Sequence, residues 1–133
     1  MTESEVEEAA LSWFKDLGYT VAFGSEIAPG ESVAERKTFG EVVLLKRLQS
    51  AIRRLNPTMP ESAHEEAWRK VLLLSTPSLV QTNRAFHRML RDGVDVEYPR
   101  PDGSIKGDKA RLVDFGEVAS NDWLVVNQFT VVE

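Results

Sequence analysis

Thr2-Glu-Ser-Glu-Val-Glu-Glu-Ala-Ala-Leu-Ser-Trp-Phe-Lys-Asp-Leu-Gly-Tyr-Thr-Val-Ala-Phe23 reads as a helix followed at once by a strand. Two capping boxes compete for its start, Thr2 with Glu5 or Ser4 with Glu7. Each sets a hydroxyl and a carboxylate three residues apart, the spacing that serves the orphan amides of a first turn. Val6, Ala10, Trp13 and Leu17 then recur at three- and four-residue steps and form one apolar stripe. Gly18 stands where a left-handed residue would end the helix. Beyond it Tyr19, Val21 and Phe23 alternate with Thr20 and Ala22, the period of a strand. A helix and a strand in direct succession predict a mixed α/β fold.

Working outward, residues 24–40 contain Gly24, Pro29, Gly30 and Gly40 and read as a loop. A second helix is expected over 41–55, with Leu44, Leu48, Ile52 and Leu55 on one face and Asn56-Pro57 as its stop. Thr58 with Glu61 is a further capping box, opening a third helix through Ala63, Ala67, Trp68, Val71 and Leu74. Thr76-Pro77 suits the start of a fourth, with Leu79, Phe86 and Leu90 as its inner side and Gly93 as its end. The period then changes. Val94, Val96 and Tyr98 alternate with Asp95 and Glu97, Pro99–Gly103 supplies a turn, and Ile105–Phe115 holds the returning strand. Trp123–Val132, rich in β-branched and aromatic residues, reads as a buried or half-buried strand.

Composition bounds the function. The 133 residues, 42% hydrophobic and 28% charged, suit one soluble globular domain, taken as residues 1–133. There is no cysteine, which removes disulfides, thiolate zinc sites and cysteine nucleophiles together. No apolar run reaches the length of a membrane span and the acidic N-terminus is unlike a signal peptide, so the expected location is cytoplasmic, away from membranes. The net charge of −5 is unevenly spread. Residues 1–35 carry eight acids against Lys15 alone, whereas 36–54 carry Arg36, Lys37, Lys46, Arg47, Arg53 and Arg54 against Glu41. Residues 69–111 carry nine bases and five acids. Charge by itself favours solvated helix faces over a phosphate-facing surface.

Several catalytic classes fall away. His64 and His87, the only imidazoles, lack ligand spacing and read as partly exposed polar residues on helices. No serine sits in a Gly-x-Ser-x-Gly elbow. Gly103-Ser-Ile-Lys-Gly-Asp-Lys109 has the composition of a phosphate loop without its spacing, and reads as a basic hairpin turn. Metal-dependent nucleases place an Asp at one strand end and a Glu-x-Lys on the next strand, where carboxylates hold Mg²⁺ against the scissile phosphate. Asp102 and Glu35-Arg-Lys37 supply those letters in the wrong order and in loops, so they are not such a pair.

Six segments together resemble the N-terminal region of the R (restriction) subunit of type I restriction enzymes. They are Thr2–Leu11 with Leu17-Gly-Tyr19, Ile27–Glu31 with Ala34-Glu-Arg36, Thr76–Leu79 with Asn83–His87, Gly93–Tyr98, Leu112–Phe115 and Asn121–Val132. The resemblance implies the front part of a restriction-endonuclease-like domain, helix-rich over its first two thirds, strand-rich after, and truncated before the catalytic strands. In such subunits the catalytic Asp and Glu-x-Lys follow the last strand present here. The full-length parent would cleave DNA with Mg²⁺ and couple cleavage to ATP-driven translocation, in a complex with modification and specificity subunits. Residues 1–133 alone would hold no complete metal site, bind neither cofactor and be inactive. Glu7, an acid on the first helix, is implied to lie near the metal. Arg36, Lys37, Arg84 and Arg88 would meet DNA phosphates, and Asn127 and Gln128 would be structural. The alternative is a small non-enzymatic protein-interaction domain using its acidic first helix.

Overall fold

A computed structural model describes residues 1–74 and 78–132. In chain order it contains α1 (Glu3–Asp16), β1 (Thr20–Phe23), α2 (Leu45–Leu55), α3 (Glu61–Leu72), α4 (Leu79–Asp92), β2 (Val94–Pro99), β3 (Ile105–Ala110), a 3₁₀ turn (Val118–Ser120) and β4 (Leu124–Asn127). The mixed α/β character and the order of helices before most strands follow the sequence reading. The chain divides into two compact units, Met1–Leu45 with Asp122–Glu133, and Lys46–Asn121.

In the first unit β1 and β4 pair in parallel, Thr20 opposite Leu124 and Phe23 opposite Asn127. Of the two caps open to α1, the chain uses Thr2 with Glu5. The Glu5 amide donates to Thr2 Oγ1 at 3.2 Å and the Thr2 amide donates to Glu5 Oε2 at 2.7 Å. At the other end Gly18, at φ 98°, donates to Lys15 O while Tyr19 donates to Phe14 O, a complete Schellman turn. That turn decides which face of α1 looks inward. It brings the Phe14 ring edge-on to Tyr19 at 5.1 Å, and Tyr19 in turn meets Trp123 at 5.6 Å. Three of the four residues of the expected stripe therefore face out, Val6 52%, Trp13 68% and Leu17 76% exposed, while the fourth, Ala10, is half-buried with Glu7, Ala9 and Leu11. Periodicity finds a stripe; the turn after the helix chose another one.

The second unit holds the larger core. Ile52, Met59, Ala63, Ala67, Val71, Val94, Val96, Tyr98 and Ala110 form one buried cluster, with Leu48, Trp68, Met89 and Leu112 against it. Enclosing a side chain such as Ile52, Val94 or Val96 contributes about 1.5–3 kcal/mol. The strand β2 alternates buried and exposed residues as its sequence requires, and pairs antiparallel with β3, Val94 opposite Ala110. The returning strand stops at Ala110, short of Phe115; of the phosphate-loop look-alike only Gly103 and Ser104 lie in the hairpin turn, and Ile105–Lys109 form most of β3.

Three helix readings need correction. α2 begins at Leu45 rather than 41. Thr58 does not cap α3: Pro60 occupies the N-cap position without a side-chain bond. A residue before proline is disfavoured in the helical region, so Met59 bars an earlier start. The Thr76-Pro77 start lies outside the described residues; Ser78 caps α4, its hydroxyl accepting from the Gln81 amide at 3.1 Å. No α4 residue is buried, and Leu79 and Phe86, expected inside, are 74% and 38% exposed.

His64 also departs from expectation, being 6% exposed. Its Nε2 donates to the Asn56 carbonyl at 2.8 Å and its Nδ1 lies 3.1 Å from Glu61 Oε2. Arg53 approaches the same carboxylate, its Nε donating to Oε1 at 3.0 Å. Arg53 first, and His64 after it, hold the Glu61 carboxyl down from 4.5 to about 2. A lowered carboxylate pKa adds stability that is complete above the unfolded value and is lost as pH falls through the folded one. Denaturation at successive pH values should show the advantage of wild type over Glu61→Gln shrinking between pH 4.5 and about 2. A gap that stays constant across that window would refute the linkage.

Candidate functional site at the carboxyl ends of the parallel strands

Because Thr2 and Glu5 complete the cap between themselves, Glu7 is not used in it. Its half-buried side chain instead meets Gln128, whose Nε2 donates to Glu7 Oε2 at 3.3 Å across 121 positions of sequence. Gln128 follows the last residue of β4 at φ 45°, and among the described residues it is the one non-glycine at positive φ. The expected strand over Trp123–Val132 is cut to four residues there. Left-handed backbone costs a residue with a Cβ about 1–2 kcal/mol, so its neighbours must hold it.

Those neighbours are identifiable. The Gly24 amide, just beyond β1, donates to the Asn127 carbonyl at 3.0 Å and approaches Asn127 Oδ1 at 3.2 Å. A Cβ on Gly24 would fall 2.3 Å from Gln128 O and 2.5 Å from Asn127 O, so only glycine fits. On the far side of Gln128, Phe129 stacks on Arg36, whose Cζ is 3.9 Å from the ring centre, and Phe39 adds a second ring at 5.6 Å. Arg36 Nη1 donates to Thr130 O at 2.8 Å and to Glu41 O at 3.2 Å. The Val132 amide donates to Phe39 O at 3.0 Å. Residues 129–132 are thus clasped to residues 36–41.

Arg36, expected at DNA phosphates, is 3% exposed, and its Nε and Nη2 are buried without a partner. It works as an internal clasp. Lys37 beside it is exposed, its amide donating to Glu41 Oε2 at 2.9 Å. Arg84 and Arg88 belong to the other unit, where with Val80, Asn83, His87 and Arg91 they line an open hollow of about 560 Å³ on α4.

A hard divalent cation takes several oxygen ligands. Among the described residues no three His, Cys, Asp or Glu side chains gather to hold one. Glu7 offers a single carboxylate beside an amide, and these residues do not fit a complete Mg²⁺ site. Among them, too, no helix is long and apolar enough to cross a membrane.

Comparison with known proteins gives the class. Residues 1–133 match the model of the type I restriction enzyme R protein N terminus, and the chain belongs to that family. It is similar to the type I restriction enzyme HindI endonuclease subunit of Haemophilus influenzae, 33% identical over 131 residues, which are 98% of this chain and 12% of that protein. It is also similar to the putative type I restriction enzyme MjaIXP endonuclease subunit of Methanocaldococcus jannaschii, 32% identical over 126 residues, 95% of this chain and 12% of that protein. No solved structure matches it.

Proposed function

We propose that residues 1–133 are the front part of the nuclease domain of a type I restriction enzyme R subunit. The full-length subunit would cleave DNA in the cytoplasm and couple cleavage to ATP-driven translocation, together with modification and specificity subunits. The observation that carries this reading is the match to the R protein N terminus over the whole chain, with relatives of which it covers only 12%. On this reading β1 and β4 belong to a restriction-endonuclease-like sheet whose catalytic strands come later in the subunit. Parallel sheets are covered on both faces, and neither β1 nor β4 has a fully buried residue. Later segments would provide that cover, the catalytic Asp and the Glu-x-Lys. Mg²⁺ and ATP are requirements of the full-length subunit.

Within the chain, Glu7 is proposed as an acid of the nuclease site, and Lys37, Arg84 and Arg88 as phosphate contacts. Arg36 is left out of the contact set because its guanidinium is enclosed. Each phosphate contact adds about 0.9 to the slope of log affinity against log salt on duplex DNA. Replacing Arg84 and Arg88 by Ala in the full-length subunit should flatten that slope by about two. An unchanged slope removes α4 from the DNA path.

Residues 1–133 by themselves are expected to leave supercoiled plasmid intact in Mg²⁺. Cutting that survives further purification and is abolished by Glu7→Ala would overturn the truncation. The outward Val6, Trp13 and Leu17 favour a second reading, a non-enzymatic interaction domain. The parent open reading frame separates the two. Pro-Asp, a hydrophobic strand and Glu-x-Lys soon after codon 133 belong to the nuclease, and a stop codon there to the rival.

A further inference from the structure

We propose that Gln128 is a positioning residue that holds the Glu7 carboxylate at the carboxyl end of the parallel pair β1/β4. The proposal rests on the reading of Glu7 as a nuclease-site acid. A glutamine is a poor choice for the backbone it adopts. Glycine takes positive φ without cost and asparagine takes it more readily than most residues. Nothing about the turn itself asks for Gln128, yet the fold forces the conformation from both sides, through Gly24 behind it and the Arg36–Phe129 clasp ahead of it.

What the strained conformation delivers is the side-chain amide, 3.3 Å from Glu7 Oε2. Residues kept in sparsely populated backbone regions concentrate at functional sites, where the surroundings over-determine them. The place is apt as well, since open α/β sheets bind ligands beyond the carboxyl ends of their strands. An amide also has the right chemistry. It donates to a carboxylate and fixes its orientation while leaving its charge intact, whereas a lysine would neutralise it and a second acid would repel it. It occupies one oxygen of Glu7 and leaves the other for reaction partners.

The test is a double-mutant cycle on DNA cleavage by the full-length R subunit assembled with its partner subunits. The variants are Glu7→Gln, Gln128→Gly and the pair. Glycine relieves the backbone strain while deleting the amide, so a purely structural Gln128 would leave Gln128→Gly as active as wild type and at least as stable. The positioning role instead gives a variant of undiminished thermal stability that cleaves roughly tenfold more slowly. In the Glu7→Gln background the same change should cost nothing further. Gln128→Asn, which accepts positive φ but is one methylene too short, should repeat the result if the glycine variant folds poorly. Wild-type cleavage by Gln128→Gly, or losses that simply add, would overturn the proposal while leaving Glu7 in place. Wild-type cleavage by Glu7→Gln would instead overturn the underlying assignment of Glu7.

Discussion

Gly24→Ala is expected to destabilise the first unit severely, by about 4 kcal/mol. The added methyl carbon would lie 2.3 Å from one backbone carbonyl oxygen and 2.5 Å from another. Neither belongs to a side chain that can turn aside, so relief requires drawing β1 away from β4. That movement breaks the Gly24 amide bond to Asn127 and disturbs the parallel pair, which is only four residues long. Overpacking inside a well-filled site costs about 1–3 kcal/mol, and a severed backbone bond whose partners stay shielded adds a similar amount. Gly30 is the control. It has φ 88° and open space for 4 Å around the place a methyl carbon would take. Gly30→Ala should therefore cost only about 1–2 kcal/mol of backbone strain. Chemical denaturation followed by near-ultraviolet circular dichroism of the aromatic cluster Phe14, Tyr19 and Trp123 reads both. Equal losses for the two alanines would show that the close approach at Gly24 does not exist.

Asn56→Ala should remove about 3 kcal/mol from the second unit. Asn56 is 5% exposed and follows α2 directly. Its Nδ2 donates to Ile52 O at 2.8 Å and to Arg111 O at 2.9 Å, and its Oδ1 accepts from the Arg111 amide at 2.7 Å. One carboxamide thus ties the end of α2 to the residue after β3, satisfying both main-chain groups of Arg111. Alanine leaves those part-buried groups without partners; full burial would cost about 1–3 kcal/mol for each, and the two together come to about 3 kcal/mol. Asn56→Asp should do no better. It keeps the acceptor for the Arg111 amide but sets a negative oxygen against two carbonyls. Urea midpoints rank the variants, and amide exchange at Arg111 localises the damage. A fully protected Arg111 amide in Asn56→Ala would contradict the bridge.

Much of the local structure was legible in the residues. Gly18, Gly93 and Asn56-Pro57 end their helices because each is a local conformational instruction, independent of distant partners. The hairpin β2/β3 was legible for the same reason: alternation at Val94, Val96 and Tyr98 and a turn at Pro99–Gly103 suffice. The candidate site was legible only in part. Glu7 was visible as an acid on the first helix, but two caps competed for the acids there, and only the folded chain assigned Glu5 to the cap. Gln128 gave no signal. Glutamine does not announce positive φ, and its partner lies 121 positions away. Arg36 read as a surface cation because arginine usually is one; two phenylalanines and two carbonyls enclosed it.

The sequence alone determined the kinds of element and most of their ends, because capping, turn chemistry and strand alternation act over a few residues; the family came from the resemblance of six segments to a known pattern. Tertiary structure decided which face of α1 turns inward, which acid is left out of the cap, where β4 breaks and which arginine is buried. Each of these depends on a partner brought in from far along the chain, and no spacing rule encodes such a meeting.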